Sequence, residues 1–327
     1  MGIEVQFSTL FQQIINGLSL GSVYALIAVG YSLVYSILSF SNFAHGGFLV
    51  VGGYICYGLL AGFSVNILFT VPSFWWFSGF SVDFLLPVPS VNIWLAGAGA
   101  LAGAGLIAIL TERFAYKPIR ERTSITLYLL IASMGISIVI ENIFVIIVGG
   151  RFRALPPNTF PSKLFTLIGG VTVNASDILS LVFAVFFLGG LQLFLNRTRW
   201  GLAIRAAACD LRTAGLMGVN VSQLIAIVFF VAGLLAAVGG IFLSARYTLY
   251  PQLGGTITTK AFVAAVIGGL GSLPGAVVGS LALGLAEMLT AGFISSQMRD
   301  LVVFSMLVIM LLVKPAGFFG RQISDKI

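Results

Sequence analysis

The few side chains in this sequence that could do chemistry are isolated within apolar stretches. His45, the one histidine, lies in a glycine-flanked break between two apolar runs. A metal site would need a cluster of His, Cys or carboxylate ligands near it, and the surrounding sequence has none. HExxH and His–Asp patterns are also absent, which argues against an intramembrane enzyme. Two interpretations of His45 therefore remain: it bonds to backbone at the helix ends of the break, or it lines a transport path or gate.

Two carboxylates also lie inside apolar runs, namely Glu141 and Glu287. A charge at the bilayer centre costs about 2.5–3.5 kcal/mol on insertion scales, so such residues usually face a cavity or a partner. We favour structural roles for both. Glu141 would pair with Arg151 or Arg153, and Glu287 would hold helices together by bonding to backbone or to Lys260.

Composition places these residues in a polytopic membrane protein. Of the 327 residues, 59% are hydrophobic and 8% are charged, more apolar surface than a soluble domain can bury. Apolar runs of this length predict helices, because a membrane helix satisfies its own backbone hydrogen bonds. We expect an all-α polytopic membrane protein, a single domain over residues 1–327, with about 8 transmembrane helices plus interrupted or re-entrant half-helices.

Arginine and lysine predict the sidedness of the loops. Residues 111–123, residues 196–222 and the tail from Lys314 carry most of the basic side chains, so the positive-inside rule places them in the cytoplasm. This clustering explains the net charge of +7 without invoking nucleic acid. Residues 149–176 would then be outside. Trp75 and Trp76 indicate a further outer segment at the membrane interface.

Two breaks interrupt the apolar runs. Residues 10–38 are too long for one upright span, so they form either one tilted helix or a span followed by a half-helix, and the side of the N-terminus stays open. The first break, residues 39–47, follows. Residues 258–270 make about half a span and end in the second break, residues 271–275, where Pro274 stops the helix. Paired interruptions point to a midplane pathway. The alternative is two tight turns at the cytoplasmic face.

The basic loop at residues 196–222 predicts two short helices. Residues 201–209 are rich in Ala and Leu, which favour helix. Asp210 suits the N-cap of a second helix that ends near Met217, with Gly218 as its C-cap.

One face of this second helix is small and flat. At helical spacing it carries Leu211, Ala214, Gly215 and Gly218. Such a face could lie deep in a groove of a soluble partner, with Arg205 and Arg212 making charged contacts at the rim. A well-capped loop with no partner is the alternative.

The order of several motifs extends this interpretation. The first half of the chain contains GSVYALIAVG at residues 21–30 and NFAHG at residues 42–46. The second half contains RAA at 205–207, Asp210, GVN at 218–220, KAF at 260–262, GGLGSLPG at 268–275 and Glu287. In this order they resemble the branched-chain amino-acid (Liv-type) ABC permeases, and the H-type subunit more than the M-type. The resemblance covers nearly the whole chain outside residues 64–91 and 149–176, and the Trp75–Trp76 segment departs from the family.

The resemblance implies a permease subunit of an ATP-driven importer for branched-chain or other neutral amino acids in the bacterial inner membrane, with a cytoplasmic C-terminus. Its partners would be a second permease, identical or different, two cytoplasmic ATPase subunits and a periplasmic binding protein. The chain would bind no cofactor and would not be an enzyme, because it lacks the GxxxxGK[ST] loop and its ATPase partners would use the ATP. Residues 201–218 would correspond to the coupling helix.

Candidate residues of the translocation path and the helix breaks are Asn42, His45, Glu141, Lys260, Pro274 and Glu287. Related systems carry urea or short amides, which is the alternative for the substrate. A stand-alone secondary transporter or channel would need a coupling-ion site or a filter, and the predicted spans contain no acidic cluster.

Overall fold

A single long helix runs through the centre of the protein. The computed structural model describes residues 2–61, 91–123, 125–156, 159–160, 164–166 and 171–320. Helix α1 extends without interruption over Gly2–Leu38. Its most apolar stretch is 94% buried, so the other helices surround it. Of the two alternatives for this run, one continuous helix is therefore the correct one. The Trp75–Trp76 segment lies outside the described residues.

The remaining elements follow in chain order. The helices are α2 His45–Ala61, α3 Ile93–Thr111, a π-helical segment Glu112–Tyr116, α4 Lys117–Arg122, α5 Thr126–Val148, α6 Ala175–Arg197, α7 Arg199–Cys209, α8 Leu211–Leu216, α9 Val221–Arg246, α10 Leu253–Gly268, α11 Leu273–Phe293, a 3-10 turn Ser296–Met298 and α12 Arg299–Val313. Before α6, a short antiparallel hairpin pairs β1 Leu164–Thr166 with β2 Thr172–Asn174.

The helical, membrane-spanning architecture is confirmed. Within the described residues, seven helices are long and apolar enough to cross a membrane, and α2 and α10 are shorter apolar helices. Helix α10 begins at Leu253 and has 16 residues, so it is longer than the predicted half-span. The prediction that residues 111–123 form a loop is wrong. They continue α3 as helix almost to their end, and only Thr123 is non-helical.

Glycine lets the helices around α1 approach to backbone contact. Gly17 and Gly21 of α1 face Gly284 of α11, where an added Cβ would lie 2.5 Å from the Gly21 backbone. Helices α2 and α10 meet in the same way at Gly46 and Gly254, where an added Cβ on Gly46 would lie 2.2 Å from the Gly254 oxygen. Small residues at such crossings are the usual means of packing helices within a membrane.

The second break is a tight turn between α10 and α11. Gly269 and Gly271 adopt φ values of +107° and +82°, which favour glycine. Ser272 then starts α11, because its Oγ accepts a hydrogen bond from the Gly275 amide at 3.2 Å. Pro274 lies in the first turn of α11, where its missing N–H costs no hydrogen bond.

The C-terminal segment closes the end of α10. The amides of Phe318 and Phe319 donate to the carbonyls of Ile267 and Gly268, each at 2.9 Å. The last carbonyls of a helix have no partner within it, so these two bonds satisfy groups that water would otherwise have to reach.

The second break lies at the end of the helices that we call the basic end, because α4, α7 and α8 are there. An added Cβ on Gly271 would lie 3.6 Å from the Ser36 Cα, near the end of α1. In the first break Asn42 accepts hydrogen bonds from the Ala44 amide at 3.1 Å and the Tyr116 hydroxyl at 2.7 Å. The second break is thus a tight turn at the basic end, whereas the first extends from there to Gly46, which meets Gly254 in the first turn of α10. For the first break the midplane interpretation stays a prediction.

From the geometry of the turn between α10 and α11 we expect two substitutions to differ in their effect on stability. Gly268→Ala should lower the thermal stability of the protein in detergent, because the new Cβ would meet the Gly275 carbonyl oxygen at 2.0 Å. Forcing extra atoms into a packed contact costs about 1–3 kcal/mol. Pro274→Ala should leave stability unchanged, since Pro274 is exposed and Ser272 still starts the helix. Thermal unfolding followed by size-exclusion chromatography measures both. Equal loss in the two variants would contradict this account.

Candidate functional site

Helix α7 is fastened to the end of α6. Thr198 caps it by accepting the Gly201 amide at 3.0 Å. Arg205 donates to the Leu195 carbonyl and to the Asn196 side chain, both at 2.7 Å. Arg205 was expected at the rim of a partner's groove, but this geometry makes it an internal brace between α6 and α7.

The N-cap predicted for α8 is present. The Asp210 carboxylate accepts the amides of Arg212 at 2.9 Å and Thr213 at 3.1 Å, and also the Thr213 hydroxyl. The Thr213 hydroxyl first, and then the two amides, hold the pKa of Asp210 below its usual value. The cap therefore stays charged at neutral pH and weakens only as the pH falls through that lowered pKa.

The C-cap predicted for α8 is present too. Gly218 has a φ of +91°. Its amide donates to the Gly215 carbonyl at 3.1 Å, and the Val219 amide donates to the Ala214 carbonyl at 3.2 Å. This is the Schellman arrangement, which satisfies the last carbonyls of a helix. With both ends capped, α8 is a short rigid helix although it has only six residues.

The exposed face of α8 differs from the predicted one. Ala214 is 5% exposed and packs inward, whereas Gly215 is half-buried and an added Cβ there would lie 3.4 Å from the Val221 side chain. The outward face carries Leu216 and Met217, each 80% exposed. The prediction that Ala214 lies on an exposed contact face is therefore wrong, and the contact role of Gly215 stays a prediction. Packing against α9 decides the orientation, and helical spacing alone could not reveal it.

Buried charges join four helices in the half of the bundle away from the basic end. Lys260 of α10 lies 2.8 Å from Glu287 of α11 and 3.0 Å from Asp300 at the start of α12. The Tyr24 hydroxyl of α1 donates to the second oxygen of Glu287 at 3.0 Å. The structure thus shows the suggested bond between Glu287 and Lys260. Sequence reasoning missed Tyr24 and Asp300, although Tyr24 lies within the quoted GSVYALIAVG motif.

Glu141 has a different environment from the one predicted. Its carboxylate accepts one hydrogen bond, from the Ser137 hydroxyl of the same helix at 3.3 Å. Neither Arg151 nor Arg153 pairs with it in the described structure, and Arg153 donates instead to the Val148 carbonyl at 3.3 Å. The predicted ion pair of Glu141 is therefore not formed.

His45 is fully buried in the turn where α2 begins. Its ring makes edge contacts with Tyr31 and Phe48, at centroid distances of 6.3 and 6.2 Å. The ring nitrogens make no hydrogen bond of full geometry among the described residues, and the backbone group that interacts with the ring belongs to Ile27, inside α1. The side chain therefore does not cap the helix ends, and in this conformation it does not line an open path either. Asn42 supplies the cap at this break.

A second polar cluster, which sequence reasoning missed, joins α1, α6 and α9 at the end opposite the basic end. Arg246 lies 3.1 Å from Asp177, and the Ser19 hydroxyl donates to the same Asp177 oxygen at 2.8 Å. Beside them is a cavity of about 290 Å³. Nearby, the Gln12 side chain exchanges two hydrogen bonds with the Thr172 backbone, which holds α1 to the β-hairpin.

The helical membrane-spanning fold agrees with the comparisons with known proteins. The family profile described as branched-chain amino acid transport system / permease component matches residues 13–311. The chain belongs to this family. It is 35% identical to the high-affinity branched-chain amino acid transport system permease protein LivH of Salmonella typhimurium and to LivH of Escherichia coli, over 98% of this chain and 99% of each relative.

Other relatives extend the family assignment. The permease protein BraD of Pseudomonas aeruginosa, of a high-affinity branched-chain amino acid transport system, is 34% identical over 97% of both chains. Among solved structures, PsaBC from Streptococcus pneumoniae in complex with Fab covers 95% of this chain and 92% of that one, with 12% identity and a TM-score of 0.40. A likeness at that level carries no argument about this permease.

The buried charges give a prediction about the permease's stability. Lys260→Met should destabilise it by roughly 3–5 kcal/mol, because Glu287 is left charged and buried with only Tyr24 as partner. Asp300→Asn should cost much less, since Asp300 is 65% exposed.

Thermal unfolding in detergent measures both variants. The double variant Lys260→Met with Glu287→Leu removes both charges and should recover part of the stability lost in Lys260→Met. A double variant no more stable than Lys260→Met, or an Asp300→Asn variant as damaged as Lys260→Met, would contradict the assignment of the pair.

Proposed function

We propose that this chain is the membrane-spanning permease of an ATP-driven importer for branched-chain amino acids. The substrate class is supported by one observation. The sequence is 34–35% identical, over nearly its full length, to permease proteins of branched-chain amino acid transport systems. The capped, rigid loop supports the ATP-driven part, because motion made in a separate ATPase must reach the permease through non-covalent contact.

Helices α7 and α8 are suited to that contact. A flexible loop would bend when an ATPase closes against it, whereas α8 has caps at both ends. Arg205 fastens α7 to the last turn of α6, and α8 leads directly into α9. A push on α8 would therefore move the ends of α6 and α9 together. The exposed pair Leu216 and Met217 offers an apolar contact, with Arg212 and Thr213 beside it.

The proposal also includes the partner subunits and the side of the membrane that each end of the helices faces. The partners would be a second permease, two cytoplasmic ATPases and a periplasmic binding protein, in the bacterial inner membrane. The basic end would face the cytoplasm, in agreement with the positive-inside rule. The segment from Lys314 would then be cytoplasmic, because it bonds to the end of α10 there. The N-terminal end of α1 would be outside, since Gln12 pairs with Thr172 at the opposite end.

Transport by the assembled complex tests the function. The chain, expressed with its proposed partner permease, ATPases and binding protein, should accumulate radiolabelled leucine, and removal of either ATPase or of the binding protein should abolish uptake. Excess valine or isoleucine should compete, and urea should not. Uptake that survives without the ATPases would identify a stand-alone transporter. Competition by urea alone would identify an amide importer.

The loop contact has its own test. Leu216→Asp, with or without Met217→Asp, should reduce co-purified ATPase and leucine uptake at least tenfold, because a charge replaces an exposed apolar contact. Asp210→Ala should give a weaker loss, since it removes only the cap of α8. Leu216→Met keeps the side chain apolar and is the matched control.

Normal ATPase binding and uptake in Leu216→Asp would show that α8 is not the coupling surface. Gly215→Trp is less informative than the sequence alone implied, because Gly215 faces Val221 and a bulky side chain there disturbs internal packing.

A further inference from the structure

The exposed side of helix α10 differs in its side-chain chemistry from the exposed sides of the described helices that face lipid. The helices that face outward expose large apolar side chains, among them Ile131, Met134 and Ile138 of α5, Val185 and Phe186 of α6, and Phe304, Val308 and Ile309 of α12. Within Leu253–Gly268, which the structure describes completely, no large hydrophobic side chain is exposed. The exposed side chain there is Thr256, with Thr259 partly exposed one turn further on.

Helix α10 is also short for a helix that faces lipid. Its 16 residues span about 24 Å at 1.5 Å per residue, against a hydrocarbon thickness of about 30 Å. The hydroxyl of Thr259 donates to the Gly255 carbonyl at 2.9 Å and still has lone pairs that can accept. The hydroxyl of Thr256 has no hydrogen-bond partner among the described residues.

The unpaired carboxylate of Glu141 lies against the same face. Its Oε1 is 3.4 Å from the position a Cβ would take on Gly255, the residue before Thr256. Its hydrogen bond from Ser137 supplies no positive charge, and no described cation pairs with it. A carboxylate inside an apolar helix usually faces water or a pairing group such as a cation. The open side of α10 is where either can reach it.

The other intramembrane carboxylate does not need an external partner. Glu287 is 2% exposed and is already bonded to Lys260 and Tyr24. Lys260 is in turn held between Glu287 and Asp300. That cluster is closed and holds helices together, so of the two carboxylates only Glu141 is available to a passing ligand.

We propose that Glu141, Thr256 and Thr259, here called the hydroxyl face, line the outer half of the translocation path and contact the ammonium group of the amino acid in transit. The proposal rests on the proposed function. The position of the hydroxyl face in the outer half follows from a backbone pair between the segments after α5 and before α10. Arg153 and Leu249 exchange hydrogen bonds of 2.8 and 2.7 Å at the end opposite the basic end, close to where α10 begins.

The chemistry of the hydroxyl face fits a zwitterion. Glu141 attracts the ammonium group, the Thr256 hydroxyl can donate to the carboxylate, and both threonine hydroxyls can accept from the ammonium. The site holds one charge and two hydroxyls, and such a site binds weakly enough to let its ligand leave, as conduction requires. Further toward the basic end, Phe43 and Phe262 lie 6.1 Å apart, centroid to centroid, and offer apolar contact to an aliphatic side chain.

Water access tests the hydroxyl face without reference to the substrate. Thr256→Cys in the assembled complex should react with a membrane-impermeant thiol reagent added outside intact cells, and leucine with its binding protein should slow the reaction. Lys117→Cys, at the basic end, should react no faster than the unsubstituted chain. A Thr256→Cys that does not react, because lipid or the second permease covers it, would overturn the proposal.

Uptake tests the contact with the ammonium group. Glu141→Gln should lower leucine uptake at least tenfold at unchanged complex yield, and Thr256→Val and Thr259→Val should each lower it several-fold. Thr290→Val is the matched control, because its hydroxyl also bonds to the carbonyl four residues before it but is buried in α11. It should stay within twofold of the parent complex.

The outcomes separate the two proposals. If the parent complex does not transport leucine, the proposed substrate fails, while labelling of Thr256→Cys still decides whether the hydroxyl face lines a path. If the parent transports leucine and Glu141→Gln, Thr256→Val and Thr259→Val all stay within twofold of it, the hydroxyl face is not the path. If Glu141→Gln fails to assemble, the two threonine variants carry the test.

Discussion

Backbone contact between helices at glycine is the constraint on which this structure depends. Within a membrane no hydrophobic force drives helices together, so close packing and polar bonds must do so. Gly21 and Gly284 bring α1 and α11 together, and Gly46 and Gly254 bring α2 and α10 together. Only because these backbones touch can the Tyr24 hydroxyl reach Glu287 across the interface between α1 and α11. The polar cluster is thus a result of the packing as well as a support for it.

The same packing decides which of the charged groups inside the membrane are paired with one another. Charges that meet across packed helices, such as Lys260 with Glu287, neutralise each other and become structural. Glu141 has no such partner among the described residues, because α10 presents Gly255 to it instead of a basic side chain. The position of each carboxylate relative to α10 therefore separates the paired Glu287 from the unpaired Glu141, for which a transport role is proposed, although both residues lie in apolar sequence.

Much of this could be predicted from the sequence, where local chemistry decides the outcome. The caps at Asp210 and Gly218 followed from residue preferences that act within one turn, and both are present. The orientation of Ala214 and the partner of Glu141 could not be predicted, because contacts between distant segments set them. The partnership of Lys260 with Glu287 was accessible because each is a rare charge in an apolar run. Tyr24 and Asp300 lacked that signal, since tyrosines and helix-terminal acids are common.

The two hydrogen bonds from Phe318 and Phe319 make the C-terminal segment part of the wall of the protein. Helix α10 is held near its first residue by the segment that pairs with Arg153, and at its last residues by these two amides. Both ends of α10 are therefore fixed to neighbouring segments. A sideways displacement of the middle of α10 would have to move those segments with it. A force on Phe318 or Phe319 would therefore act on the same helix that carries Thr256 and Thr259.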